Sequence, residues 1–330
     1  MKTKIYLLLV LVVLAAASVG NAQNVIALQH GNTNTIFTNF DSAMTYAVNG
    51  DYIYLPGGTI YSDLNINKGV HIIGAGTNPD STTATYRTTV VGNCNINVGS
   101  DNGSIEGIIF TGSINFTGSI NIYTISRCDF YTLILSSSSN EITVKQCVLR
   151  NDIDGNNTAQ NILFDNNIVM GRVGTLNNNI AFYNNVFLYY GGGYLLNNVH
   201  GGLFENNIIS VYWGNFEGFG SNANIYNNNI FVNFVDNGPL GLDQQSHNQF
   251  NIPLSIVFVD ANNGNYHLAA GSPAIGAGIN GTDIGIYGGT YPWKEGSVPM
   301  NPHIQTKTIG TTTNINGDLP VNITVGAQDR

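Results

Sequence analysis

Ile162-Leu-Phe-Asp-Asn-Asn-Ile-Val169, Ile180-Ala-Phe-Tyr-Asn-Asn-Val-Phe187, Gly202-Leu-Phe-Glu-Asn-Asn-Ile-Ile209 and Asn224-Ile-Tyr-Asn-Asn-Asn-Ile-Phe231 are four renderings of one phrase. The second Asn of each pair falls at 167, 185, 207 and 229, so the steps are 18, 22 and 22 residues. A period of roughly 20 residues that varies by a few is that of a coil of short strands joined by loops of uneven length. Aligned on that Asn, Phe164, Phe182, Phe204 and Tyr226 stand three residues before it. Ile168, Val186, Ile208 and Ile230 stand one after it, and Val169, Phe187, Ile209 and Phe231 two after it. Chemically matched residues recurring in register are those that stack between successive windings of a solenoid. A single winding cannot bury its apolar face, so the stacking itself supplies the core.

The Asn pair marks a corner. Asn tolerates left-handed backbone, and its side chain bonds to neighbouring main chain. A buried column of Asn also bonds along the stack and satisfies polar groups that a bend would strand. Ile125-Ser-Arg-Cys-Asp-Phe130 and Val144-Lys-Gln-Cys-Val-Leu149 fit the same register with Cys128 and Cys147 at the corner, and Ile108 extends the column one winding back. The predicted fold is all-β: one right-handed parallel β-helix of about eleven turns, with a helical N-terminal cap and a C-terminal β-hairpin.

Residues 1–22 read as a secretory signal: Lys2 and Lys4, an apolar run from Ile5 to Ala17, then Gly20 and Ala22 before a cut at Gln23. The expected location is outside the cytoplasm, either secreted, periplasmic or on the cell surface. No other segment is apolar enough to suggest a membrane span. Without Lys2 and Lys4, 11 − 2 = 9 basic residues face 20 acidic ones. That balance argues against nucleic acid or an anionic membrane as partner. Cys128 and Cys147, on neighbouring windings, read as a reduced, buried pair, with a disulfide as the alternative.

Within residues 36–48, Phe40, Ala43, Met44 and Ala47 share one helical face, with Asn39 or Asp41 as cap. A helix there would plug the open end of the coil. Gly50-Asp-Tyr-Ile-Tyr-Leu-Pro-Gly-Gly-Thr59 follows, then Val70-His-Ile-Ile-Gly-Ala-Gly76. Near the other end stand Tyr266-His-Leu268, Gly271-Ser-Pro-Ala-Ile-Gly-Ala-Gly278 and Asp283-Ile-Gly-Ile-Tyr-Gly-Gly289. With these motifs the chain resembles the secreted bacterial right-handed parallel β-helix proteins, the fold of pectate lyases, and its ending is similar to that of surface proteins of Bacteroidetes-type bacteria. The resemblance implies the fold over residues 23–290. It implies no single activity, because the group mixes polysaccharide lyases, hydrolases and adhesins. Over residues 291–330 the character changes. Ile304 to Ile309 and the alternating Val321, Ile323 and Val325 read as a hairpin turning at Asn314-Ile-Asn-Gly317. It is expected to cover the C-terminal end of the coil, with docking on another chain by strand addition as the alternative.

Two residues before the corner, facing outward, stand Ser126, Lys145, Asp165, Tyr183, Glu205 and Asn227. Lys145, Asp165 and Glu205 are the catalytic candidates of this column. Asp165 and Glu205 lie two strands apart, roughly 10 Å, wider than an inverting carboxylate pair prefers. The simpler reading of Lys145 beside Asp165 is a cross-strand ion pair. Asp152 and Asp154, spaced by one residue in a Gly-ending loop, are the candidates for calcium, with an Asx-rich turn as the plainer reading; no other cofactor is expected. Tyr189, Tyr190, Tyr194, Tyr212, Trp213, Phe216 and Phe219 crowd the loops after the corners at Asn185 and Asn207. Arg172, Tyr190, Tyr212 and Phe234 form a column five residues past the corner. Together with Tyr183, the residues Tyr190, Tyr212 and Trp213 are the candidate sugar-stacking surface. The sequence therefore points to an exported, non-catalytic protein that binds polysaccharide or serves as a cell-surface component. The alternative is a lyase or glycosidase acting on extended glycans.

Overall fold

The computed structural model describes residues 25–327, apart from 79–83, 137, 178, 219, 235–242, 295–297 and 301. The signal-like residues 1–22 and Phe219 lie outside the described residues. Parallel strands wind into a β-solenoid of about 9 turns rather than eleven. The sequence count includes residues that do other work: 26–46 build the N-terminal cap, and the last coil strand ends at Ile252. Three sheets of 12, 10 and 8 strands run the length of the coil. In the first sheet Phe164, Phe182, Phe204 and Tyr226 are register partners on successive strands. Their rings stack with centroids 4.7, 4.6 and 5.0 Å apart. In the second sheet Val169, Phe187, Ile209 and Phe231 are aligned in the same way.

The N-terminal end is closed by two devices. The strand Ile26–His30 pairs antiparallel with both Thr33–Phe37 and Tyr52–Tyr54, so the exposed edge of the first sheet is finished by a hairpin. Helix α1 (Phe40–Tyr46) buries Phe40, Ala43 and Met44 against the coil, and the Asn39 side chain accepts a hydrogen bond from the Ser42 amide. Lys68 extends its ammonium to the carbonyls of Met44, Thr45 and Ala47 at 2.7, 2.9 and 2.7 Å. A cation there satisfies orphan carbonyls at the helix C-terminus and opposes its dipole.

The two Asn of each corner have separate jobs. The first takes the left-handed backbone, at φ 55, 56, 58 and 54° for Asn166, Asn184, Asn206 and Asn228. The second is buried and builds the ladder. Asn167 Nδ2 donates to Asn185 Oδ1 at 3.0 Å, Asn185 to Asn207 at 3.1 Å, Asn207 to Asn229 at 3.0 Å, and Asn229 to Asn248 at 3.1 Å. Asn248 is one rung beyond those the repeated phrase displays. Cys128 and Cys147 occupy the earlier rungs as free, buried thiols, donating to the carbonyls of Ser126 and Lys145.

The second sheet is apolar on both faces. Its inner face lines the coil, and its outer face carries Ile168, Val186, Ile208 and Ile230. That outer row needs a cover, and the chain after residue 253 provides one. Val257, Phe258, Ala274, Ile284 and Ile286 close a second core over it. The Gly-rich stretch 277–294 then runs back along the corner, against the direction of winding, and residues 298–300 lie farther back still. Asn228 Nδ2 donates to the Ala277 carbonyl, Asn166 Nδ2 to those of Ile286 and Gly288, and Gln146 Nε2 to that of Pro292. Arg127 Nη1 donates to the Val298 carbonyl at 2.7 Å. Glycine is required where this strap meets the corner: a Cβ on Gly289, at φ 72°, would stand 2.4 Å from Asn184 Oδ1.

The strap displaces the hairpin from its expected place. The strands His303–Ile309 and Val321–Gly326 pair antiparallel and are mostly exposed. They follow Met300, whose amide donates to Glu106 Oε1 at 3.3 Å, far from the last winding. The hairpin therefore does not cover the C-terminal end of the coil.

Candidate functional site

The outward column stacks as the register predicts. Ser126, Lys145, Asp165, Tyr183, Glu205 and Asn227 are successive partners along the first sheet. It is not an open groove, because the strap runs alongside it. Lys145 lies 4.1 Å from the centroid of the Tyr291 ring. A cation–π contact, worth about 0.5–2 kcal/mol, thus takes the place of the expected ion pair with Asp165. Asp165 is 5% exposed, and its Oδ1 has no hydrogen-bond partner among the described residues. Burial pushes its carboxyl up to about 6, against the weaker downward pull of Lys145. Glu205 and Tyr183 are half-buried, and burial raises both. Tyr183 stands on the first sheet, apart from the other candidate tyrosines.

Asp165 makes a sign-definite prediction. The native state binds its proton more tightly than the unfolded chain does, from an ordinary value of 3.8 to about 6. The associated stability is fully present below the unfolded value and is lost as pH rises through the folded one. At pH 8 the buried carboxylate costs on the order of 3 kcal/mol. Asp165→Asn is therefore expected to raise the melting temperature at pH 8 and to leave it nearly unchanged at pH 4. Equal melting curves at pH 8 would show that the carboxylate is accommodated without cost.

Asp152 and Asp154 are held in turn chemistry. Asp152 accepts from Arg172 Nη2 at 2.7 Å, and Asp154 accepts from the Asn156 amide at 3.0 Å and from the Thr175 hydroxyl. Among the described residues no group of three or more His, Cys, Asp or Glu side chains could hold a metal ion.

The loop aromatics divide. Tyr189 is buried, with its hydroxyl donating to the Gly192 carbonyl, and Phe216 packs edge-on against Tyr226 and Phe231. Phe234 turns toward Phe216 and Phe231, so it leaves its column. Tyr190, Tyr212 and Trp213 face solvent at 50, 66 and 64% exposure. Tyr190 and Tyr212 lie 5.5 Å apart on neighbouring windings, and Trp213 stands edge-on 5.3 Å from Tyr212. The coil holds this row rigidly because Val186, Phe187, Leu188 and Tyr189 pair residue for residue with Ile208, Ile209, Ser210 and Val211 just before it. Arg172 is bonded to Asp152 and stands just before the third-sheet residue Val173, which pairs with Leu196, so the register does not place it opposite Tyr190.

One acidic site is not visible in the repeat. Glu217 and Asp243, 26 residues apart in sequence, meet near the last windings. Glu217 Oε1 accepts from Asn224 Nδ2 and the Tyr226 hydroxyl, both at 2.7 Å. Burial, with the Asp243 carboxyl as neighbour, pushes Glu217 up to about 7. Asp243 continues the column of Gly202 and Asn224, five residues before the ladder Asn, but Glu217 stands in the third sheet, so only the fold brings the two together.

No helix among the described residues is long and apolar enough to cross a membrane. No protein-family model matches the chain, and no curated protein matches it either.

Proposed function

We propose that this protein is an exported, non-catalytic β-solenoid that binds extended polysaccharide along its surface, as a secreted or cell-surface component. The row Tyr190, Tyr212 and Trp213 carries the reading. Large aromatic side chains exposed in a contiguous group are uncommon on a surface with no partner. Tyr190 and Tyr212 are spaced along the coil axis, so their rings meet successive units of an extended polymer, and Trp213 widens the surface beside Tyr212. Sugar rings present apolar C–H faces that stack on aromatic rings while their hydroxyls remain in water. The signal-like residues 1–22 and the pectate-lyase-like resemblance, including its likeness to Bacteroidetes surface proteins, support export and a glycan ligand. The covered position of Asp165, and Lys145 under Tyr291, support binding rather than catalysis along the first-sheet column.

The test is retention of the mature chain in gels cast with neutral or acidic polysaccharides. The double variant Tyr212→Ala, Trp213→Ala is expected to lose retention at least tenfold. Its thermal stability should stay near that of the parent, because both side chains are exposed. Retention unchanged in the double variant would remove the row from the reading. New reducing ends, or absorbance from unsaturated uronates, would move it to a lyase or hydrolase.

A further inference from the structure

A recess lies where the C-terminal segment crosses the outer face of the second sheet. It is a cleft of about 530 Å³, within the roughly 300–1,000 Å³ of small-ligand sites. Asn78 lines it at one side, and three other parts of the chain form the rest. The sheet supplies Val148, Ile168, Met170 and Arg150; the short hairpin near residue 265 supplies Asn263, Asn265, Tyr266 and His267; the strap supplies Ile286, Tyr287 and Trp293. The aromatic walls are braced. His267 and Tyr287 stack at 4.6 Å and 14°, and Tyr266 stands edge-on to Phe258 at 5.7 Å. Arg150 is held by Asp129, which accepts from Nε at 2.6 Å and also from Nη2. Its third nitrogen, Nη1, has no protein partner among the described residues.

The charge balance decides the kind of ligand. Among the described residues Arg150 is the one permanently charged residue lining the cleft, and Asp129 compensates it. An anionic ligand would find no net positive charge here, and the chain as a whole is acidic. A lipid tail would leave Nη1 of the guanidinium without a partner on its flank, which is costly. A ring with an apolar face and a rim of hydroxyls matches both the aromatic walls and the spaced donors and acceptors.

We propose that this cleft binds an uncharged pyranose sugar, as the end or a short stretch of a neutral glycan, with Arg150 and the two amides taking its hydroxyls and Tyr266, Tyr287 and Trp293 its apolar faces. The proposal rests on the glycan reading for its ligand class, but on residues that the exposed row does not share. The cleft exists only because the strap closes over the sheet, so a solenoid winding alone does not contain it.

The experiment uses the two-tryptophan composition of the chain. In a Trp213→Phe background Trp293 is the sole tryptophan. Xylo-, manno- and cello-oligosaccharides are titrated while its fluorescence is recorded, with oligogalacturonate as the charged counterpart. At least one neutral series is expected to give a saturable change, with at least tenfold weaker or no response to oligogalacturonate. Arg150→Lys keeps the charge but loses the planar fork; it is expected to weaken the response at least tenfold with an unchanged melting temperature. Silence with every neutral series overturns the proposal, as does equal affinity for oligogalacturonate. An Arg150→Lys protein that melts normally and binds like the parent overturns it too. Polymer retention by the parent chain reports on the exposed row separately. Retention with a silent Trp293 loses the cleft alone, and a saturating Trp293 without retention loses the row alone.

Discussion

Phe182→Ala is expected to cost about 3–5 kcal/mol of stability. Phe182 is fully buried in the middle of the aromatic stack, with Phe164 on one side at 4.7 Å and Phe204 on the other at 4.6 Å. It also meets Phe187 edge-on at 5.7 Å. Truncation removes a large buried side chain and leaves a cavity. Its walls are parallel strands bonded on both sides, so they cannot collapse inward to fill it. The loss includes ring–ring terms of about 0.5–1.5 kcal/mol per pair beyond buried area. Because each winding contacts only its neighbours, the damage should spread by nearest-neighbour coupling. Amide exchange is expected to accelerate most over residues 162–209, and denaturant melts give the total. A cost under 1 kcal/mol would mean that the stack contributes little to holding the windings together.

Asn207→Leu is the second large effect, about 2–5 kcal/mol from orphaned polar groups. Leucine has nearly the same size, so the substitution isolates hydrogen bonding from volume. Asn207 Oδ1 accepts from the Asn185 amide at 2.8 Å and from Asn185 Nδ2 at 3.1 Å. Its Nδ2 donates to the Phe182 carbonyl at 2.8 Å and to Asn229 Oδ1 at 3.0 Å. All four partners sit at a corner away from water, where an unmade bond costs about 1–3 kcal/mol. Asn185 Nδ2 and Asn229 Oδ1 keep other partners, so their share is smaller. Asn206→Ala, one residue earlier, is the contrast. It loses the left-handed preference and one bond to the strap, the Ile279 amide at 3.0 Å, but leaves the ladder intact. If both substitutions melt alike, the division of labour between the two Asn of each corner is wrong.

The repeat made the coil legible before any coordinates. Equal residues at equal offsets stack because parallel strands in register place them on one another, and that rule needs only neighbours along the axis. Hence the Phe164-to-Tyr226 pile, the Asn ladder and the helix over Phe40–Tyr46 could all be read from residue order. The apolar Ile168, Val186, Ile208 and Ile230 were legible as a stacked column, but not as an outward-facing one. A second apolar face signals a cover, and the chain that supplies it lies outside the repeat.

What the sequence by itself determined is the solenoid, its register and its corners, since each follows from contacts one winding away. What only the tertiary structure decided is the use of the outer surface. The return of residues 277–294 along the corner binds Asn166 beside Asp165, caps Lys145 with Tyr291 and roofs the cleft beside Arg150, and Met300 then carries the hairpin away from the last winding. Those contacts join residues more than a hundred positions apart, as Asn166 does with Ile286. No period records such a pairing, because its partners occur once and meet only after the coil has formed.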